Sequence, residues 1–368
     1  MRLDVAAALI DGKLVPGGIE IVDGHIAAYG LSRNGNGTSI AAPGFVDLQV
    51  NGFAGIDFLD TDADGYRRAG EALLETGVTS YVPTLITAPE ETLVAALAEV
   101  PDPGDGAANG AHVLGVHLEG PFLSAWRLGT HPPVGRRDPD RALLERLLAA
   151  GPVRAMTLAP ELPGALDLVD VLVARGVVVS CGHTDASAEQ ADLAFDRGAR
   201  TVTHLFNAMR PFMHRDPGIA GAALARDDVI VQIIVDGIHL APETTELVWK
   251  AAAGRVALVT DSVAAAGIGD GSYSLGTVAL NIADGAVRGP DGILAGSMLT
   301  MIEAVRNLHA LGAPLEQVLE AASAVPARVL GLDDAGRLDV GSPADIVVLD
   351  DNLEVESVFM RGEARVVA

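Results

Sequence analysis

Eight short runs of apolar and β-branched residues recur along the middle of this 368-residue chain, and they constrain its fold more than any other feature. Stretches with helical spacing of apolar residues separate most of them, at intervals of roughly 20–35 residues. Near-continuous apolar runs between helices are typical of parallel strands that are covered on both faces. The pattern predicts an α/β fold, a (β/α)8 TIM-like barrel, and a doubly wound parallel sheet is the alternative. The predicted strands are residues 45–50, 80–85, 113–118, 153–158, 177–181, 201–205, 229–235 and 256–260.

The two chain ends have a different pattern, in which short strands are separated by turns. Asp11-Gly12 and Asp23-Gly24 stand between short apolar runs, which is typical of β-hairpins. Residues 345–349, 355–360 and 364–367 repeat this style, and neither end is long enough to bury a core alone. We therefore predict a small β-sandwich domain built from both termini (1–42 and 335–368) and one catalytic barrel domain (43–334).

Charge and composition exclude several classes of protein. The formal net charge is −24, from 49 acidic and 25 basic residues. Nucleic-acid binding and adhesion to an anionic membrane both require a positive surface, so we expect neither kind of partner. No apolar run reaches the ~18 residues that a membrane span needs, and no secretory leader is recognisable at the start. The single cysteine, Cys181, precludes an intrachain disulfide and suits a small core residue, so a cytoplasmic location is expected.

Polar residues recur where the predicted strands end. Glu119, His183, His204 and Asp261 follow strands three, five, six and eight, and in a barrel these ends lie on one face. Carboxylates and imidazoles hold divalent transition metals, and three protein ligands leave a position open for water. An acid at the eighth strand suits general-base work instead. Any one histidine alone is more simply a hydrogen-bonded core residue, but the coincidence of four such positions favours a metal site.

Further candidates lie in the loops of the same face. His131 follows strand three, where a surface histidine is an equally good interpretation. Asn207, Arg215 and His239 are candidates for anion recognition, although Arg215 could equally be a solvated residue or a partner of Asp216. No phosphate-binding glycine loop of the nucleotide-binding type and no nucleophile elbow is present in the sequence.

These residues lie in motifs that resemble a known family. The barrel is bracketed as in the amidohydrolase superfamily, and the interior motifs resemble the N-acetylglucosamine-6-phosphate deacetylases, in order and over nearly the whole chain. The bracketing motifs are PGFVD at 43–47 and GSPADI at 341–346. The interior motifs are HLEGPF at 117–122, GHTDA at 182–186, THLFNAM at 203–209, VDGIH at 235–239, LVTD at 258–261 and LAGS at 294–297.

The resemblance implies hydrolysis of an amino-sugar phosphate: N-acetylglucosamine 6-phosphate and water give glucosamine 6-phosphate and acetate. It implies metal ligands at Glu119, His183 and His204, with zinc favoured and iron, cobalt or manganese as alternatives. It makes Asp261 the acid/base and His131 the group that polarises the amide carbonyl. It also implies a homodimer in which the neighbouring subunit supplies part of the phosphate site. The implied substrate contacts are Asn207, Ala208, Arg215 and His239.

One departure from the superfamily pattern concerns the number of metals. Many amidohydrolases carry His-x-His on the first strand, whereas this chain has Gln49-Val50-Asn51, and an amide is a poorer zinc ligand than an imidazole. We therefore predict one tightly bound divalent metal per subunit, with a weak second site at Gln49 and Asn51.

Three other functions remain as alternatives at this stage. A cyclic amidase would want both His-x-His and a bridging lysine on the fourth strand, and that strand ends in Thr157-Leu158-Ala159-Pro160. An N-acetylgalactosamine-6-phosphate deacetylase differs by one epimeric hydroxyl, which the sequence does not resolve. A non-catalytic sugar-phosphate sensor would not need Asp261.

Overall fold

A parallel β-barrel forms the centre of the computed structural model, which describes residues 1–32, 35, 37–103, 110–269 and 271–367. Each strand pairs in parallel with the next, and the eighth returns to the first through hydrogen bonds from Asp261 N–H to Gln49 O and from Asn51 N–H to Ser262 O. The predicted barrel is therefore confirmed. Its strands are Phe45–Val50, Val78–Ile86, Val116–Glu119, Val153–Leu158, Val178–Cys181, Thr201–Val202, Ile230–Ile233 and Val256–Leu258.

Five of the predicted strands, those at 113–118, 177–181, 201–205, 229–235 and 256–260, are shorter than the sequence pattern indicated, and two of them show why. The run 113–118 is divided into His112–Val113 and Val116–Glu119, because Gly115 has a φ of +106° and a Cβ there would lie 2.7 Å from the carbonyl of Pro152. The run 201–205 stops at Val202, two residues before His204 takes a φ of +28°. Apolar character continues through these segments, but the regular strand ends at the turn.

Helices cover the outside of the barrel. Several begin with side-chain caps, as at Asp140, which accepts from the N–H groups of Ala142 and Leu143, and at Ser187, which forms a capping box with Gln190. Among the described residues, no helix combines the length and apolar character that crossing a bilayer requires. The helices are Ala63–Leu74, Glu90–Ala98, Arg141–Ala150, Ala165–Ala174, Ala188–Asp196, Gly218–Ala225, Pro242–Ala251, Met301–Ala310, Leu315–Ala322 and Ala324–Leu330.

Strands from both chain ends form two sheets outside the barrel, as predicted. In the larger sheet, Ile40–Pro43 pairs antiparallel with Ile346–Leu349, so the two ends of the chain meet at its centre. A separate apolar core, including Ile19, Ile26 and Phe359, fills the space between the sheets. The division of the chain at residues 42 and 335 stays a prediction. The larger sheet contains Lys13–Pro16, Ala7–Ile10, Ile40–Pro43, Ile346–Leu349, Val355–Met360 and Glu363–Val367, and the smaller contains Arg2–Leu3, Gly18–Val22 and His25–Leu31.

A three-stranded antiparallel sheet, absent from the predicted elements, follows the eighth barrel strand. It consists of Gly271–Leu275, Val278–Ala283 and Ala286–Arg288. The backbone N–H of Gly276 donates to Asp57 Oδ2 at 2.6 Å, which attaches this sheet to the barrel. Leu275 of this sheet thereby lies at the carboxyl end of the barrel strands.

Candidate active site

A carboxylate and two imidazoles converge at the carboxyl end of the barrel strands. Glu119 Oε1 lies 3.1 Å from His183 Nε2 and 3.0 Å from His204 Nε2, and the two nitrogens are 3.1 Å apart. All three side chains are buried. One anionic oxygen and two imidazole nitrogens at this spacing are a suitable donor set for a divalent transition metal. The structure therefore brings together the three residues predicted as metal ligands, and their role as ligands stays a prediction.

The protonation of His183 is set by a backbone carbonyl. Its Nδ1 lies 2.9 Å from the carbonyl oxygen of Arg127, and a carbonyl only accepts, so Nδ1 carries the proton. Nε2 is then left with its lone pair directed at Glu119 and His204. This is the tautomer that a metal ligand requires.

The pKa values of the cluster reflect burial and mutual contact. Burial opposes ionisation of Glu119, but contacts with His131, His183 and His204 outweigh it and hold the pKa well below its usual range. Burial lowers the pKa of His183. At His204 burial acts in the same direction, but contact with Glu119 outweighs it and raises the pKa. An ionised carboxylate beside a neutral imidazole is the state that binds a cation.

Asp261 lies beside this cluster and is held by two amides. Gln49 Nε2 and Asn51 Nδ2 donate to its Oδ1 at 3.0 and 2.7 Å. Burial, and then the charge of Glu119, raises the pKa of Asp261 to about 6. A carboxyl group with that pKa is ionised at neutral pH and still basic enough to exchange protons, which suits the predicted acid/base role.

Gln49 and Asn51 present N–H groups, rather than oxygens, to the two carboxylates. Gln49 Nε2 also donates to Glu119 Oε1 at 3.1 Å, so this one amide contacts both carboxylates. Within the described residues, Gln49 Oε1 and Asn51 Oδ1 are buried and have no hydrogen-bond partner. The amides would have to rotate before they could bind a metal through oxygen. The weak second metal site stays a prediction.

His131 is buried beside the cluster rather than exposed in its loop. Its Nδ1 accepts from the N–H of Thr87 at 3.3 Å, so the ring proton is on Nε2, which lies 3.5 Å from Glu119 Oε2. The ring also packs edge-on against His183. A buried N–H donor in this position can stabilise negative charge on a substrate oxygen, which agrees with the predicted carbonyl-polarising role.

A cavity of about 290 Å³ connects these groups with the substrate-binding candidates. His239 is held by Asp236, whose Oδ2 lies 2.7 Å from Nδ1, and Leu275 of the inserted sheet closes part of the wall. Arg215 is exposed and is not among the lining residues, and Asp216 pairs with Arg210 instead of Arg215. The lining includes Asn51, Ile86, Glu119, His131, His183, His204, Asn207, Ala208, His239, Asp261, Leu275 and Ile293.

A sequence profile of the amidohydrolase family matches residues 40–365 of the chain. The chain belongs to the amidohydrolase family. Curated relatives include the N-acetylglucosamine-6-phosphate deacetylase of Mus musculus, which is 42% identical over 344 residues (89% of this chain and 83% of the relative). The N-acetylgalactosamine-6-phosphate deacetylase of Escherichia coli O157:H7 is 36% identical over 352 residues (94% and 93%).

Solved structures of the same kind superpose closely on this amidohydrolase. A mutant N-acetyl-D-glucosamine-6-phosphate deacetylase from Mycobacterium smegmatis, in complex with N-acetyl-D-glucosamine-6-phosphate, has a TM-score of 0.94 at 37% identity (100% of this chain and 99% of that chain). The Thermotoga maritima N-acetylglucosamine-6-phosphate deacetylase has a TM-score of 0.93 at 33% identity, covering both chains fully. The barrel and the sheets from both termini therefore belong to a known architecture.

Four of the site residues in this amidohydrolase have left-handed backbones, which the sequence did not indicate. The φ angles are +48° at His183, +28° at His204, +49° at Ala208 and +49° at Asp261. Residues other than glycine rarely adopt this backbone conformation, and those that do cluster at functional sites. The backbone therefore turns sharply after the fifth, sixth and eighth barrel strands, at His183, His204 and Asp261, and all three residues line the cavity.

Asp47 is a buried carboxyl group that the sequence analysis did not single out as functional. It accepts from the hydroxyl of Thr260 at 2.6 Å and from the N–H groups of Thr260 and Gln49. Burial raises its pKa from the ordinary 3.8 to about 7, although these hydrogen bonds act in the opposite direction. The signal available in the sequence was an aspartate that shares a largely apolar strand with Gln49.

We expect Asp47 to make the free energy of unfolding depend on pH. Between about pH 4 and 7 the folded protein holds one more proton than the unfolded chain, so stability falls as pH rises, by up to ~1.4 kcal/mol per pH unit. Asp47→Asn keeps an acceptor but does not ionise, so its stability should decline less steeply. Denaturant unfolding of the metal-free protein and the variant at pH 5, 6 and 7 measures the difference. Parallel stability profiles would contradict the raised pKa.

Proposed function

We propose that this chain is a metal-dependent hydrolase that removes the acetyl group of N-acetylglucosamine 6-phosphate and releases glucosamine 6-phosphate and acetate. The observation that carries the proposal is the convergence of Glu119, His183 and His204 beside Asp261 on the wall of one cavity. The relatives and solved structures that bear this activity in their names support the choice of substrate. An N-acetylgalactosamine-6-phosphate deacetylase is the second candidate, because one relative over 94% of the chain has that name.

We propose one divalent metal per subunit, held by Glu119, His183 and His204, with zinc as the first choice and iron, cobalt or manganese as alternatives. When bound, such a metal lowers the pKa of water towards ~7 and polarises an amide carbonyl. The amide N–H groups of Gln49 and Asn51 already neutralise part of the carboxylate charge nearby. A single cation therefore suffices for this donor set.

The roles of the chain's own residues follow from which of their atoms carry or accept a proton. Asp261, ionised above about pH 6, takes a proton from the attacking water and then delivers it to the nitrogen of the departing amine. His131 donates from Nε2 to the oxygen of the acetyl group as negative charge develops there. The hydroxyl stays on the acetyl carbon, the C–N bond breaks, and acetate and a free amino sugar result.

Substrate binding divides between the cavity and the surface around it. Asn207, Ala208 and His239 line the cavity and would contact the sugar phosphate. Arg215 lies outside the cavity of its own chain, and the chain as a whole carries a charge of −24, so attraction of the phosphate has to be local. We propose that the protein is a homodimer in which Arg215 of one protomer completes the phosphate site of its partner. A cytoplasmic location stays a prediction.

Arg215→Ala should weaken recognition of the phosphate specifically. A charge-assisted bond contributes ~1.5–3 kcal/mol, so kcat/KM for the phosphorylated sugar should fall by about 10- to 100-fold, and that for unphosphorylated N-acetylglucosamine should change little.

Mixing Arg215→Ala with Asp261→Asn should restore activity, because the mixed dimer contains one site with an intact Asp261 and an arginine from the neighbour. Equal loss on both substrates, or no recovery on mixing, would contradict the role across the interface.

Acetate release tests the function directly. The protein would be incubated with N-acetylglucosamine 6-phosphate, its galactosamine epimer and the two unphosphorylated sugars, after loading with zinc, iron, cobalt or manganese. We expect acetate from the 6-phosphates, with one equivalent of metal per chain. Release from the galactosamine epimer alone would favour the second candidate. Binding without acetate release under any metal would support the sugar-phosphate sensor and contradict hydrolysis.

A further inference from the structure

An ion pair at the rim of the barrel connects two of the active-site loops. Arg127, in the loop after the third strand, directs Nε and Nη2 to Asp185 Oδ1 at 2.8 and 2.7 Å. Neither residue lines the cavity, and the side chain of each is about one third exposed (31% and 32%). An ion pair that is this exposed usually contributes little to the stability of a protein.

The backbone of Arg127 gives the pair a connection to the metal site. The carbonyl oxygen of this same residue accepts from Nδ1 of His183, so the loop conformation at Arg127 determines where the imidazole points. The loop makes a second contact with the same residue, because Ser124 N–H donates to the backbone oxygen of His183 at 2.9 Å. His183 needs such support, since its φ of +48° is a strained backbone conformation.

Asp185 is itself firmly held on the opposite side of the ion pair. Its N–H donates to Glu161 Oε1 at 2.7 Å, and the hydroxyl of Thr184 donates to the other oxygen of Glu161. Arg210 Nη1 donates to the backbone oxygen of Asp185 at 3.3 Å, and Arg210 also pairs with Asp216. These contacts fix the backbone of Asp185, and Arg210 Nη1 also lies 3.8 Å from its Oδ2, so the carboxylate that binds the Arg127 side chain is held in place.

We propose that Arg127 and Asp185 are positioning residues for His183. Their ion pair keeps the Arg127 carbonyl against Nδ1, and the carbonyl keeps the lone pair of Nε2 directed at Glu119 and His204. The proposal rests on the metal site of the proposed function. It differs from a surface ion pair in one measurable respect, because only a positioning role changes the affinity and coordination of the metal.

The test compares Arg127→Ala and Asp185→Ala with Arg137→Ala. Arg137 is an exposed arginine further along the same loop, and its guanidinium binds the backbone carbonyls of Val134 and Arg136, away from His183. Zinc affinity is measured by competition with a chromophoric chelator, and the ligand geometry by the visible absorption spectrum of the cobalt-loaded protein. Partners that orient metal-bound histidines typically change affinity by 10–100-fold. Because Arg127 and Asp185 act through an intervening carbonyl, we expect about 10-fold weaker zinc binding and an altered cobalt spectrum.

Three further variants make the outcome decisive. The double variant Arg127→Ala/Asp185→Ala should bind zinc as each single variant does, since both changes release the same carbonyl. Arg127→Lys, which keeps a cation, should recover most of the affinity. If Arg127→Ala does not fold, Arg127→Met retains the packing of the aliphatic stem and carries the same expectation.

The outcomes separate this proposal from the proposed function. If Arg127→Ala binds zinc as tightly as Arg137→Ala and gives the same cobalt spectrum, the positioning role is overturned and the metal site stands. If the unaltered protein binds no divalent metal, both proposals are overturned together.

Discussion

Asp261→Asn is expected to lower the turnover number by about 10²- to 10⁴-fold without releasing the metal, because the variant loses the group that exchanges protons. Asparagine has nearly the same shape, and its Oδ1 can still accept from Gln49 and Asn51, so the surrounding geometry should persist. Asp261 is outside the cluster of Glu119, His183 and His204, so metal binding should continue. Steady-state turnover and the metal content of the purified protein are the two measurements.

Asp47→Asn is the matched control for this experiment. Asp47 is also a buried carboxyl group with a raised pKa, and it reaches the eighth strand end through Thr260, but it does not line the cavity. We expect turnover within a few-fold of the parent protein. An Asp261→Asn variant that works as fast as this control would refute the acid/base assignment.

The pH dependence of the reaction gives a second measurement of Asp261. The carboxylate acts as a base only when ionised, so kcat/KM should rise with pH through the pKa of this group. Burial and the charge of Glu119 place that pKa at about 6, and a cation bound nearby would favour the ionised form, so the midpoint should lie at or below pH 6. In Asp261→Asn this acid limb should disappear.

Glu119→Gln should have the largest effect on metal binding. Glu119 Oε1 is the atom that both imidazole nitrogens face, and it supplies the negative charge of the cluster. Changes to groups that merely orient a ligand weaken binding by 10–100-fold, so loss of a charged ligand should cost more than about 100-fold. Hydrolysis should fall in parallel. Metal content after dialysis and a chelator competition measure the affinity.

The two variants together distinguish metal binding from proton transfer. Glu119→Gln should lack both metal and turnover, and high zinc concentrations should restore part of its activity. Asp261→Asn should contain metal at every concentration and remain slow. A Glu119→Gln protein that retains one equivalent of tightly bound metal would show that the ligands lie elsewhere.

The sequence predicted the parts of the structure that depend on regular periodicity. The strand at 153–158 has the predicted bounds: a largely apolar run, interrupted by Arg154 and Thr157, ends just before Pro160, which a regular parallel strand does not accommodate. The rule that strand ends meet on one face then placed Glu119, His183, His204 and Asp261 together. It also gave His131 as a candidate, but only the structure shows that its Nε2 bears the proton.

Other features depend on contacts that a single chain does not encode as a pattern. The sheet that carries Leu275 is an exception, because Asp284-Gly285 between its second and third strands is the same hairpin signal as at the start of the chain. It was missed because it lies within what is otherwise a barrel sequence. The left-handed backbone at Asp261 has no glycine to indicate it. The sequence left Arg215 open between a role in anion recognition and a solvated position, and only the tertiary structure shows that it is exposed and outside the cavity of its own chain.

The pairing of Ile40–Pro43 with Ile346–Leu349 also has a consequence for the order in which the protein forms during synthesis. The paired residues Pro43 and Ile346 are about 300 positions apart, and the first barrel strand begins two residues after Pro43. Contacts of such long range form late and slowly. The ribosome therefore completes the whole barrel before this sheet can close. Until then the strand that leads into the barrel has one exposed edge, and nascent chains stalled before residue 346 should aggregate more readily than full-length ones.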